Sequence, residues 1–172
     1  MVENLIVFIS GSGTNLQAII DGIENGILQN MEISLVISNR KTAHGLKRAK
    51  KAGIPTRVEL FDKKKMSREE YDHRLKNIVS CFSPSLIVLA GWMHIFSKEF
   101  LDCPYTVINL HPALPGKFPG KNAIKQAFEA YKSGMIKETG IMIHEVTDEV
   151  DVGKIIGTYH IPIHKHDTLE SL

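Results

Sequence analysis

The sequence predicts an α/β fold, a single doubly wound and mostly parallel sheet of about seven strands, Rossmann-like, with helices on both faces. Three observations predict it. Short continuous apolar runs alternate with stretches of helical period, the arrangement that covers both sides of a parallel sheet. The first run, residues 5–10, passes through a glycine-rich loop into an amphipathic pattern of Leu16, Ile19, Ile20 and Ile23. The residue types that carry chemistry fall at the carboxyl ends of the runs, where ligands bind in open α/β sheets.

Each element has its own local reason. The first strand, residues 5–10, is continuous and β-branched, and the helix after it ends near Gly26. Residues 33–38 make a second strand. A lysine-rich helix over 43–52 stops at Gly53, and a short third strand, 56–60, follows Pro55. Ser67 and Glu70 form a capping box, opening a helix whose stripe is Tyr71, Leu75, Ile78, Val79 and Phe82 and whose end is Ser83-Pro84. Residues 86–90 and 106–110 are the fourth and fifth strands. Ala123, Ile124, Ala127, Phe128 and Tyr131 share one face of a helix ending at Gly134. Strands over 139–146 and 154–163, separated by a short acidic loop, complete the sheet.

Composition narrows the function. With 172 residues, 43% hydrophobic and 23% charged, the chain can bury one substantial core, and one domain is expected. Lys plus Arg is 21 against 19 for Asp plus Glu, and the one basic run, Lys63-Lys64-Lys65, lies in a loop, so no nucleic-acid partner is expected. Cys81 and Cys103 lie in no Cys-x-x-Cys pattern and are expected to be buried thiols. The amino-terminal apolar run is too short for a signal or a membrane span, which predicts a cytoplasmic protein with no membrane partner. His160, His164 and His166 share parity on the last strand. Pro162 interrupts them and no Cys, Asp or Glu completes a ligand set, so they are expected to be exposed edge histidines and no metal is expected.

Asn109 and His111 stand two apart at the end of the fifth strand, so an amide and an imidazole project from one face. An amide for a developing oxyanion beside an imidazole that moves a proton suits acyl transfer through a tetrahedral intermediate. The alternative is an Asx turn and a surface histidine. Two prolines and two glycines then hold the following loop open. Asp151, on the acidic loop, either orients the imidazole or forms a turn, and His144 is either a core histidine or a pocket wall. Ser10-Gly11-Ser12-Gly13-Thr14-Asn15 is a phosphate loop or only a tight connection. Leu16 stands where a dinucleotide fingerprint needs glycine and the P-loop lysine is absent, so a sugar or mononucleotide phosphate fits better than NAD or ATP. Residues 91–96 offer a flat ligand an apolar surface, or belong to the core.

The chain resembles the glycinamide ribonucleotide formyltransferases of purine biosynthesis, which use 10-formyltetrahydrofolate. The resemblance rests on residues 9–20, on Ser67-Arg68-Glu69-Glu70-Tyr71-Asp72, on Val88-Leu89-Ala90-Gly91-Trp92-Met93, on Ile108-Asn109-Leu110-His111-Pro112 and on Val146-Thr147-Asp148-Glu149-Val150-Asp151. It implies transfer of a formyl group from the folate N10 to the amine of 5'-phosphoribosylglycinamide, with small-molecule partners only and a monomer or homodimer. By the family pattern Asn109 donates to the oxyanion, His111 handles the proton, and Asp151 tunes His111 and holds a shuttling water. Gly13, Thr14 and Asn15 match the substrate-phosphate loop. Arg68, Met93, His94, Ile95, Phe96, Asn109, Thr147, Asp148, Glu149, Val150 and Asp151 match positions around the folate.

Three departures accompany the resemblance. His94 stands where many relatives place Arg, and Ala113-Leu114-Pro115-Gly116 where Ser-Leu-Leu-Pro is familiar. The third concerns Asp167-Thr168-Leu169-Glu170, which reads as the cap of a further helix. The expectation is therefore one formyltransferase domain over residues 1–172 without its C-terminal helix. A 10-formyltetrahydrofolate hydrolase, a methionyl-tRNA formyltransferase and a non-catalytic phosphosugar- or folate-binding module are the competing readings. The first loop suits a small phosphate ligand, and no basic face or appended domain suits tRNA.

Overall fold

Strand β1 (Glu3–Ile9) is the axis of the first part of the chain. In the computed structural model, which describes residues 2–172, the elements that follow are α1 (Thr14–Glu24), β2 (Met31–Ser38), α2 (Gly45–Lys51), β3 (Thr56–Val58), α3 (Arg68–Ser80), β4 (Leu86–Leu89) and α4 (Lys98–Leu101). After them come β5 (Thr106–His111), α5 (Ala123–Lys132), β6 (Glu138–Glu145) and β7 (Ile155–Pro162). The sheet has seven strands in the order β3-β2-β1-β4-β5-β6-β7. β1 pairs in parallel with β2 and β4, β2 in parallel with β3, and β7 runs antiparallel to β6. The chain forms two compact units, one ending at Ile108 and the other spanning Asn109–Leu172.

In the first unit, alternation along β1 sets two cores. Leu5, Val7 and Ile9 join Leu16 and Ile20 of α1 and Leu46 and Ala49 of α2 in one buried cluster. Phe8 points the other way and meets Trp92, Phe96 and Phe100 edge-on, with ring centroids 5.0, 5.6 and 5.8 Å away. Burying a side chain of this size contributes about 1.5–3 kcal/mol, so helices over both faces of β1 are where this unit's stability concentrates. The chain leaves β1 toward β2 and β3 and returns on the other side as β4. The strand order therefore reverses between β1 and β4.

Several expectations needed correction. Helix α3 has the capping box, Ser67 Oγ accepting from Glu70 N at 3.1 Å and Glu70 Oε2 from Ser67 N at 2.7 Å, but it ends at Ser80 and leaves Phe82 outside. The four-residue helix α4 was not anticipated, being too short for a period to register. On α5 the buried row is Ala123, Ala127 and Ala130, while Ile124 is exposed. Small residues at i, i+4 and i+7 let that helix pack closely, and its larger apolar residues lie beside the seam. Cys81 is exposed and Cys103 half-buried, so neither is the buried thiol expected. At the carboxyl end, Thr168 Oγ1 accepts from Ser171 N at 3.3 Å and Leu172 N donates to Thr168 O at 3.2 Å, the bonds of a turn.

Tyr71 is fully buried and its hydroxyl donates to the Glu59 carbonyl at 2.7 Å. Burial, then the nearby carboxylates of Glu59 and Asp72, push the phenol above its ordinary value of 10.0. A raised folded value means that this group's stabilising effect is intact below pH 10.0 and is lost as pH climbs above it. Tyr71→Phe should cost about 1–2 kcal/mol at neutral pH by losing the buried hydrogen bond. Above pH 10.0 its thermal unfolding midpoint should fall less steeply with pH than that of the wild type, and parallel curves in calorimetry would reject this account.

Candidate active site

At the strand-order reversal two loops are stitched together. Ser10 N donates to Gly91 O at 3.1 Å, and Met93 N donates to Ser10 Oγ at 2.9 Å. Gly13 caps α1 in the left-handed region, φ 72°, and no side chain caps this helix end. Uncapped first-turn amides at the positive end of an eleven-residue helix form an anion cradle. Thr14 is exposed and Asn15 half-buried there.

The cradle has a backing that sequence reasoning missed. A Cβ on Gly13 would stand 2.5 Å from Gly45 Cα, and Gly45 N donates to Gly11 O at 3.1 Å, so two glycines let α2 press against the loop. Arg48 grips the same loop, Nε to Ser12 O at 3.0 Å and Nη1 to Gln17 Oε1 at 3.2 Å. The paired glycines were visible in the sequence; their meeting was not.

The residues expected around a folate divide by exposure. Arg68 opens α3 and is exposed. In the loop after β4, Met93 and Ile95 are about half exposed, whereas Phe96 is 2% exposed and stacks on Phe100 with centroids 3.9 Å apart. His94 also turns inward, its Nε2 2.7 Å from Asp72 Oδ1. Outward apolar side chains and inward aromatic ones thus alternate along this segment. The core reading of residues 91–96 holds for Trp92 and Phe96, and Met93 and Ile95 are left exposed.

In the second unit, one carboxylate gathers the chemistry. Asp151 Oδ2 lies 3.3 Å from His111 Nδ1 and accepts from Gly120 N at 2.8 Å. Its Oδ1 accepts from Asn109 Nδ2 at 3.5 Å and lies 3.5 Å from His144 Nε2. His111 is 4% exposed and His144 2%, so the surface-histidine reading of His111 does not hold, while Asp151 lies in a turn and also faces the imidazole.

Hydrogen-bond partners assign the protons. His111 Nε2 donates to the Phe118 carbonyl at 3.0 Å, and Nδ1 lies 3.3 Å from the carboxylate. His144 Nδ1 donates to Glu145 O at 2.8 Å, leaving Nε2 to accept from Asn109 Nδ2 at 3.2 Å. The Asn109 amide thus spends its hydrogens on His144 and Asp151.

The loop after His111 does not stay open. It folds back so that the Phe118 carbonyl and the Gly120 amide reach the ring and the carboxylate, with Phe118 at φ 45° and Asp151 at φ 58°. Leu114 lies over Gly140, where a Cβ would collide with the Tyr159 carbonyl and stand 2.6 Å from Leu114 Cδ2. Thr147 Oγ1 donates to Glu149 O at 3.1 Å, and Asp148, Glu149 and Val150 are exposed. His144, Phe118 O and Gly120 N are the site groups the sequence did not single out, although His144 was marked as a possible wall. On β7, His160 pairs with Glu138 at 2.9 Å, and the rings of His164 and His166 stack 5.5 Å apart. Among the described residues no three His, Cys, Asp or Glu side chains gather as a metal site.

Comparison with known proteins adds family and fold. A profile described as formyl transferase matches residues 3–172. The phosphoribosylglycinamide formyltransferase of Dictyostelium discoideum is 52% identical over 100% of this chain and 89% of its own length. Its counterpart in Escherichia coli is 37% identical over 98% of this chain and 77% of its own length. The crystal structure of phosphoribosylglycinamide formyltransferase from Bacillus halodurans superposes with a TM-score of 0.87 at 34% identity, covering 98% of this chain and 84% of that one.

Asp151 reaches its partners because the strand after its loop returns closely. Glu145 N donates to Lys154 O at 2.9 Å, and a Cβ on Gly153 would collide with the Glu145 carbonyl and come within 3.4 Å of His144 Nδ1. Gly153→Ala should therefore cost about 1–3 kcal/mol and lower the unfolding midpoint by several degrees. A variant as stable as the wild type would show that the two backbones do not need this approach.

Proposed function

Because the chain belongs to the formyl transferase family over residues 3–172, we propose that it transfers a formyl group from 10-formyltetrahydrofolate to the amine of 5'-phosphoribosylglycinamide, in de novo purine biosynthesis. The observation that carries this reading is the Asp151 carboxylate bonded at once to Asn109 and His111. The printed activity of the Dictyostelium and Escherichia coli relatives supports it. The folate supplies an activated formyl carbon, and the ribonucleotide supplies a nucleophilic amine.

The chain's own residues divide the work. The Asn109 amide donates to the formyl oxygen as charge develops there, exchanging one of its present acceptors for the oxyanion. His111 gives a proton to the leaving nitrogen and recovers one from the incoming amine, so protons balance over the cycle. Asp151 holds the ring by Nδ1 and keeps the amide within reach. The α1 amides of Thr14 and Asn15, behind Gly13, take the ribonucleotide phosphate. Exposed Met93 and Ile95 offer apolar surface suited to a flat pterin, Arg68 offers charge to a folate carboxylate, and the 147–151 loop, with Thr147, Asp148, Glu149 and Val150, matches positions that surround the folate in the family. No metal enters this reading, and a cytoplasmic location accords with it.

The direct test mixes the protein with both small molecules and follows deformylation of the folate. Deformylation that depends on the ribonucleotide is expected. Formate release without it would turn the reading to a hydrolase, and tight binding without turnover to a binding module.

His111→Ala and Asp151→Asn should each lower kcat by about 10²–10⁴-fold while circular dichroism stays that of the wild type. Near-wild-type turnover in either would remove the role assigned to that residue.

A further inference from the structure

The loop after β4 is fixed at two places. Ser10 holds its beginning through Gly91 O and Met93 N. Asp72, on α3 and fully buried, holds its far end, Oδ2 accepting from Ser97 N at 2.6 Å and Oδ1 bonded to His94 Nε2 at 2.7 Å. Four aromatic rings wall the imidazole: Tyr71 at 5.1 Å, Phe61 at 5.4 Å, Phe96 at 5.7 Å and Trp92 at 6.2 Å between centroids. Only 9% of the His94 side chain is exposed. Trp92 Nε1 and Ser97 Oγ are buried without hydrogen-bond partners, so neither helps to tie the segment.

We propose that His94 is a positioning residue for folate affinity: its bond to Asp72 clasps the loop so that Met93 and Ile95 stay turned outward, while the imidazole itself does not touch the ligand. A side chain so enclosed has little surface to offer a cofactor. What it controls is the backbone between two neighbours that do have surface. The distance to a carboxylate with no exposure makes the clasp strong, because a buried acceptor that loses its donor bears the full desolvation cost. A cation in place of His94 that turned outward would leave Asp72 with the Ser97 amide alone. The sequence position that departs from its relatives is thus an internal tie.

This inference rests on the folate reading of the loop, and the experiment separates the two. Steady-state kinetics of the full chain are measured with 10-formyltetrahydrofolate and phosphoribosylglycinamide for the wild type, His94→Gln and His94→Met. Ribonucleotide-dependent turnover by the wild type is read first, and its absence rejects the function, whatever the clasp does. His94→Met fills the space without a donor, and should raise the folate KM about tenfold while kcat and the ribonucleotide KM stay within about twofold. His94→Gln, whose amide can donate to Asp72, should return the folate KM to within about threefold of wild type. Should His94→Met not fold, as judged by circular dichroism, His94→Asn replaces it, its amide being too short to span the contact. An unchanged folate KM in the folded donor-less variant overturns the clasp. So does a His94→Gln variant as impaired as His94→Met, which would mean that the ring itself meets the ligand.

Discussion

The arrangement of the second unit depends on one carboxylate. Asp151 has four polar neighbours: a histidine ring and a backbone amide at one oxygen, an asparagine amide and a second ring at the other. Each of the three side chains has a further partner, the Phe118 carbonyl for His111, the Glu145 carbonyl for His144 and the His144 ring for Asn109, and both rings are buried. Each buried polar group left unpaired costs about 1–3 kcal/mol, so the hub is a condition for burying this much polarity. A hub of this kind also couples its spokes. The orientation of Asn109 depends on the tautomer of His144, which is set by the Glu145 carbonyl, which in turn is held by the return of the strand at Lys154.

The first unit solves a different problem, that of exposing backbone amides without losing rigidity. A helix amino terminus open to an anion cannot be capped by its own side chain, and α1 has no side-chain cap. The loop is stiffened from behind instead, by the Gly13–Gly45 contact and the Arg48 bonds to Ser12 and Gln17. Stiffness from behind leaves the front of the helix end open.

What could be read from the sequence was what local rules govern. The Ser67–Glu70 capping box, the Leu16–Ile20 stripe of α1 and the shared face of Asn109 and His111 all follow from spacing within a few residues, and all are present. Features that depend on distant segments meeting were not legible. Gly45 behind Gly13, the Phe118 carbonyl on His111 and the inward turn of His94 each join residues whose approach only the folded chain decides. The α5 face failed for a related reason. Hydrophobicity ranks Ile124 above Ala130, but close packing prefers the smaller residue, and the alanine row was the better signal. Glycines and prolines after His111 read as an open loop because turn residues reveal that a chain bends and not where it returns.

Strain and buried polarity coincide at His111, and together they explain why the site is built as it is. Both residues that flank the ring, Phe118 and Asp151, adopt left-handed backbone, which costs an ordinary side chain roughly 1–2 kcal/mol. In this conformation the Phe118 carbonyl faces His111 Nε2 at 3.0 Å and Asp151 presents both oxygens to its neighbours. The folded chain carries these costs permanently, with the sheet on either side of the loops supplying the stability that offsets them. An imidazole held in this way keeps its direction, and under the proposed transfer the Asn109 amide has one acceptor to exchange for the oxyanion. The strained turns are therefore what sets this hydrogen-bonded geometry in the folded chain.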